Sequence, residues 1–222
     1  MQLEGYMDIG AFESLCKERR SIRKWKNKAV PEEQIIKAIE IGTWAPSGGG
    51  KQPYHFYVVT NPGIISKIAK AVKEKINMIA ELPAAKKNSN AVDSWKEKAL
   101  FFAQAPVLVA VTVSIYNSLA DSILCASLDN PEVQKIVSSR ETASSRVQSA
   151  AAAITQMLLV LHEFGLGSVW MTGPVQAKEE IEKILGVPED QDFVALIPLG
   201  YTDEEPKISN HKSIEELITF LR

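Results

Sequence analysis

"APSGGGKQPYHFYVV", Ala45 to Val59, joins three consecutive glycines and a lysine to an alternating run of aromatic and β-branched residues. The run "YHFYVVT" reads as a β-strand. A phosphate-cradling loop has the opposite order, strand then loop then helix. The P-loop pattern also fails in detail. Gln52 follows Gly50-Lys51 where Ser or Thr is required, and Ala45 stands where the first glycine belongs. No G-x-G-x-x-G opens a helix after this strand, so the dinucleotide fingerprint fails too. What remains is a set of small residues that let a flat ligand approach the backbone, with Gln52 offering both a donor and an acceptor.

Working outward, a first helix is expected over Ile9 to Glu18, with Phe12, Leu15 and Cys16 on one face. Pro31 suits the start of a second helix carrying Ile35, Ile36, Ile39 and Trp44. After the strand comes a lysine-rich helix with apolar positions near Ile64, Ile68, Val72 and Ile76. "LPAAKKNSNAV" reads as a loose connection, and "SWKEKALFFAQ" as another helical piece. "PVLVAVTVS", from Pro106, is the near-continuous apolar run of a buried strand. The stretch from Ile115 to Ser145 mixes weak helical periodicity with "LDNPE" and serines, and is read as a helical excursion or lid. Ser144 to Phe164 is a helix with polar ends and a middle that is apolar nearly all round. Such a helix belongs in a core or a subunit interface. "SVWM" reads as a third strand, Ala177 to Leu185 as a short helix and "DFVALIPLGY" as a fourth strand. "TDEEPKISNHK" is an extended polar segment and "SIEELITFL" a final short helix. No repeat or linker divides the chain, so one α+β domain is expected.

The chain has 222 residues, with 45% apolar and 23% charged side chains, which is the balance of an ordinary globular protein. A net charge of −2 provides no field that would gather nucleic acid or an anionic membrane. Neither is expected as a partner. Cys16 and Cys125 have no partner at metal or redox spacing, and read as free thiols in a reducing cytoplasm. The N-terminus lacks a signal-type pattern, and no apolar run approaches a membrane span. His55, His162 and His211 form no metal motif, and no serine lies in a nucleophile elbow.

The candidate chemistry is distributed. "RRSIR" sets Arg19, Arg20 and Arg23 around Ser21, a combination suited to bidentate phosphate binding. "WMTGP" ends a strand with backbone amides near Gly173. "EEPKISNHK" adds Lys207, His211 and Lys212. Trp95, Phe101 and Phe102 are candidates for a site entrance, although the phenylalanines read better as core.

In this order, "RRSIRKW", "APSGGGKQPYHFYVV", "GLGSVWMTG" and "IPLGYTDEEPK" resemble signatures of the nitroreductase family of FMN-dependent enzymes. The resemblance runs from about Ala11 to Leu221. It implies a single domain over 1–222, with a mixed, mainly antiparallel sheet flanked by helices. It also implies an intertwined homodimer with two FMN sites at the interface, a lid at 115–145 and a C-terminal extension, 202–222, reaching toward the partner subunit. Arg19, Arg20 and Ser21 would contact the FMN phosphate and ribityl chain. Arg23 would lie near the N1–C2=O edge, where two-electron reduction leaves negative charge that a fixed cation stabilises. Pro46, Ser47, Gly48 and Gln52 would contact the flavin from the partner. Thr172 and Gly173 would lie beside N5.

Three positions depart from the family pattern. Gly50 stands where Asn is frequent, Thr172 where some members have Glu, and His211 where an arginine commonly meets the phosphate. The implied activity is ping-pong transfer from NADH or NADPH, through FMN, to a small acceptor such as a nitroaromatic, a quinone or a flavin. Family alternatives are dehalogenation, O₂-dependent flavin chemistry, metabolite dehydrogenation, or flavin binding without turnover. No side chain is singled out as a catalytic acid or base.

Overall fold

The computed structural model describes residues 8–115, 118–206 and 209–222. The apolar run after Pro106 forms β2, Val107–Ser114, the first central strand of a four-stranded antiparallel sheet. It is flanked by β1, Tyr54–Val59, and β4, Gln191–Tyr201, and β3, Leu166–Ser168, completes the order β1-β2-β4-β3. The run is apolar without alternation because both faces of β2 are covered. Val107, Val109, Val111 and Val113 enter one buried cluster, while Leu108 and Ala110 enter the other.

The helices divide between the two faces. α1, Ile9–Glu18, precedes α2, Glu32–Gly42, which packs on α7, Ser145–Glu163, against the valine face. A β-carbon on Gly42 would lie 2.9 Å from the Ala153 carbonyl oxygen, so this crossing needs glycine. α3, Pro62–Ala80, and α8, Lys178–Leu185, cover the other face. Asn61 starts α3 by accepting from the Gly63 amide at 2.8 Å, with Pro62 in the first turn. α4, Ser89–Lys98, α5, Leu119–Cys125, and α6, Pro131–Ala143, bury none of their residues. Among the described residues, the excursion at 115–145 thus holds two helices, α5 and α6, that enter no core. α7 buries Ala150, Ala153, Ile154, Met157, Leu158 and Leu161, as its pattern required.

Four local readings are corrected. "SIEELITFL" forms only a single 3₁₀ turn, Ile214–Glu216, because its apolar side chains are exposed and none packs into the core among the described residues. The third strand ends at Ser168, and beyond it β4 is met by isolated contacts, the Val169 amide donating to the Pro198 carbonyl at 3.3 Å and Met171 bridging Leu196. The loose connection holds a 3₁₀ turn, Ala85–Asn88, and the start of α4. α1 has its expected bounds but buries no residue, and Phe12 is exposed.

Candidate functional site

The "RRSIRKW" stretch leaves α1 and runs extended along the end of the sheet. Ser21 bridges Ser168 in parallel, and Trp25 bridges Thr202 antiparallel. The Ile22 amide donates to the Ser168 carbonyl at 3.1 Å and the Lys26 amide to the Tyr201 carbonyl at 2.8 Å. The buried indole of Trp25 donates to the Gly167 carbonyl at 2.8 Å. Two glycines make room for this docking. A β-carbon on Gly167 would lie 2.7 Å from Ile22, and one on Gly200 would lie 2.7 Å from Pro106. The Glu204 carboxylate accepts from the backbone amides of Arg23 and Lys24. The segment's backbone is thereby fixed from both sides.

Arg19, Arg20 and Ser21 are half-buried, and Arg23 is exposed. Arg20 turns back on α1, donating to the carbonyls of Lys17 and Arg19. Arg23 donates to the Ser21 carbonyl at 3.2 Å. Phe101 packs here, at this end of the sheet, whereas Phe102 is fully buried core. Thr172 and Gly173 follow Met171, which bridges Leu196 three residues along β4 from the Leu199 that pairs with Ser168, and both are exposed. A β-carbon on Gly173 would meet nothing within 4 Å. Neither residue's amide donates to another backbone group among the described residues.

The glycine loop sits elsewhere. Pro46 is exposed, while Ser47 and Gly48 are half-buried. Gly48 to Gly50 form a 3₁₀ turn, with Gly49 and Gly50 at φ of +61° and +66°. Gln52 is a non-glycine at φ +46°, held by its side-chain amide donating to the Thr43 carbonyl at 2.8 Å and by its backbone amide donating to Ser47 Oγ at 3.2 Å. The Gly48 amide donates to Ser149 Oγ at 3.0 Å, near the start of α7. Ser149 was not singled out in the sequence. A serine in an otherwise alanine-rich helix turn was its only signal.

The two groups lie at opposite ends of the protomer. Ser149 holds the glycine loop at one end of α7, and the far end of α7 leads into β3, where Ser168 meets Ser21. At 1.5 Å per residue, the intervening helix spans about 20 Å. The sheet register agrees, with Tyr54 opposite Val113 at one end and Val107 opposite Leu199 at the other. Within one chain the arginine segment therefore lies apart from Ser47, Gly48, Gly50 and Gln52. His211 and Lys212 lie in the exposed terminal segment, and Lys207 falls outside the described residues.

Between the glycine loop and the helices α5 and α6 is a cleft of about 860 Å³, lined in part by Gly48, Lys51, Leu124, Val137, Arg140 and Arg146. The helices are clasped to each other. Asp121 accepts from the Ser118 amide at 2.8 Å and from Arg140 Nε at 2.7 Å. Hydrogen bonds from the Ser118 hydroxyl and amide, then from Arg140, hold the Asp121 carboxyl down at about 2. The S-x-x-D spacing of Ser118 and Asp121 is a sequence signal for this capping box, inside the stretch read only as a helical excursion or lid. Asp192 ties α7 to α8 through Arg146 and through Lys178 at 2.8 Å. Burial pushes its pKa up, but the bonds from Lys178 and Arg146 outweigh this and lower it. Among the described residues no cluster of His, Cys, Asp or Glu could hold a metal, and no helix is long and apolar enough to cross a membrane.

Comparison with known proteins gives a consistent picture. An iodotyrosine deiodinase of Thermotoga neapolitana is 25% identical over 207 residues, covering 93% of this chain and 97% of that protein. The crystal structure of a BluB-like flavoprotein from Clostridium difficile is 29% identical, with a TM-score of 0.84 over 98% of this chain and 100% of that one. A nitroreductase with bound FMN from Desulfitobacterium hafniense shares the fold at 18% identity, with a TM-score of 0.70 over 98% of this chain and 100% of that one. The model of the Nitroreductase family matches residues 16–201. With that match over most of its length and a four-stranded antiparallel sheet between helical layers, the chain belongs to the Nitroreductase family.

Proposed function

We propose that this protein is an FMN-dependent oxidoreductase, acting as a homodimer whose two sites each combine the arginine segment of one chain with the glycine loop of the other. The observation that carries this reading is the separation of the two groups by about 20 Å along α7. Each is half of a cradle, and each is built with care. The arginine segment is pinned by Ser168, Gly167 and Glu204, and the glycine loop by Ser149 and Thr43. Two copies facing each other across their exposed apolar surfaces would complete both. Ile36 and Trp44 around α2 and Ile218, Phe220 and Leu221 in the terminal segment supply such surface.

The residues fit FMN. Arg19 and Arg20 would hold the phosphate, and His211 of the terminal segment would add a contact to it. Arg23 would set a positive charge at the pyrimidine edge of the ring. Thr172 and Gly173 offer amides without backbone acceptors among the described residues, and the absent side chain at Gly173 leaves the ring's approach open. Ser47 and Gln52 supply polar contacts, and Gln52 Oε1 remains an acceptor while its Nε2 is engaged by Thr43. When bound, FMN supplies the two-electron chemistry, and the chain supplies orientation, charge and shelter from water. NADH or NADPH and then a small acceptor would occupy the cleft beneath α5 and α6 in turn.

A second reading concerns the acceptor. The Thermotoga relative is named an iodotyrosine deiodinase, which supports a halogenated aromatic as an alternative to a nitroaromatic or quinone. One experiment addresses both readings. The purified protein should be yellow, lose flavin absorbance anaerobically with NADH or NADPH, and regain it with a nitroaromatic or quinone. Reoxidation by a halotyrosine alone selects the second reading. Colourless protein that ignores added FMN refutes both.

A further inference from the structure

Among the described residues the Arg23 guanidinium donates to the Ser21 carbonyl and forms no ion pair, while the nearby Glu204 carboxylate accepts from the backbone amides of Arg23 and Lys24. Its carbon lies 5.9 Å from the centroid of the Phe101 ring. Phe101 in turn stacks on Trp25, with centroids 6.1 Å apart and 26° between the planes. Arg23 and Trp25 are two residues apart in an extended segment, so their side chains leave on the same side. Phe101 packs against both. Its own position is fixed, since it opens the 3₁₀ turn Phe101–Gln104, whose next residue, Phe102, is fully buried ahead of β2. Trp25 is fixed by its bond to Gly167.

We infer that Phe101 is a positioning residue for the flavin, acting through Arg23. The inference rests on the proposal that Arg23 borders the pyrimidine edge of FMN. An exposed arginine samples many rotamers, and its field at the ring is averaged over them. The face of Phe101 attracts the cation and, with the Ser21 carbonyl, selects one arrangement. A cation held in place before reduction is more effective than one that must be ordered during it. Phe101 touches neither donor nor acceptor in this account.

The test is the two-electron midpoint potential of the holoprotein, measured by dye equilibration. Arg23→Ala should shift the potential downward. Phe101→Leu, which keeps apolar bulk against Trp25 but lacks the ring face, should shift it in the same direction by a smaller amount. Phe101→Tyr, which keeps the face, should restore the wild-type value. Phe101→Leu added to Arg23→Ala should produce no further shift. If Arg23→Ala shifts the potential and Phe101→Leu does not, the role of Phe101 is refuted while that of Arg23 stands. An additive double variant also refutes it, because Phe101 would then act independently of the cation. If Arg23→Ala leaves the potential unchanged, the placement of Arg23 fails and the inference fails with it.

Discussion

Ile22 lies so close over Gly167 that a β-carbon there would sit 2.7 Å from its Cγ1 atom, inside any real contact distance. This packing seats the arginine segment against β3, and Trp25 seals it by donating to the same glycine's carbonyl at 2.8 Å. The sequence's "GLGS" thus forms the floor on which Ser21 and Arg23, one half of the proposed site, are carried.

Gly167→Ala should therefore both destabilise the fold and loosen the half-site. Overpacking of this kind costs about 2 kcal/mol. A lower Tm together with weaker FMN retention is expected. A variant with unchanged Tm would mean that Ile22 moves aside freely.

The double replacement Arg19→Ala, Arg20→Ala should weaken FMN binding by about 3 kcal/mol or more, since hydrogen bonds to charged groups contribute about 1.5–3 kcal/mol each. That is a rise in Kd of at least about a hundredfold. Flavin fluorescence titration of the apoprotein measures it. Unchanged retention would show that the phosphate is held elsewhere.

At Gln52, backbone and side chain should separate. Its φ of +46° disfavours any side chain, while its amide bonds to Thr43. Gln52→Ala loses the bond and keeps the backbone cost, whereas Gln52→Gly loses the bond and relieves the cost. Gln52→Gly should be more stable than Gln52→Ala by about 1 kcal/mol in denaturant unfolding. Equal stabilities would contradict this account of the loop.

The clasp between α5 and α6 should release in acid. The Asp121 carboxyl is held at about 2, against an ordinary value of 3.8. Because the folded value is the lower one, its contribution is complete above an ordinary carboxyl pKa and is lost as pH falls from 3.8 toward 2. Pepsin should cut within 119–143 increasingly over that window. Asp121→Asn should be cut there at every pH in it. Wild-type protein with a flat cleavage profile would refute the clasp.

The regular core was legible. β2 announced itself by an apolar run buried on both faces, and α7 by its all-round apolar middle. The terminal "SIEELITFL" was not, because its apolar side chains enter no core among the described residues and a short helix does not persist alone. "SVWM" misled in part: Ser168 ends β3 opposite Leu199, and beyond it Val169 and Met171 meet β4 through isolated contacts, a break that strand propensity does not reveal. For the site, the residue types in "RRSIR" and "PSGGGKQ" were readable, but their separation was not. That distance is set by the length of α7 and the sheet register, neither of which is visible at the motifs. Phe101 read as core or entrance, and only the geometry showed it against Arg23.

The central claim, that each site is shared between two chains, is tested most directly by subunit complementation. One chain would carry Arg19→Ala and Arg20→Ala, and the other Ser47→Ala and Gln52→Ala. The two would be co-expressed with different tags and purified as the mixed species. A shared site predicts that each mixed dimer has one intact site and one doubly defective site. FMN content should then recover to about half of wild type, while either variant alone retains little. Mixed species that bind no more FMN than the two variants separately would contradict the shared site and place the cofactor within one chain.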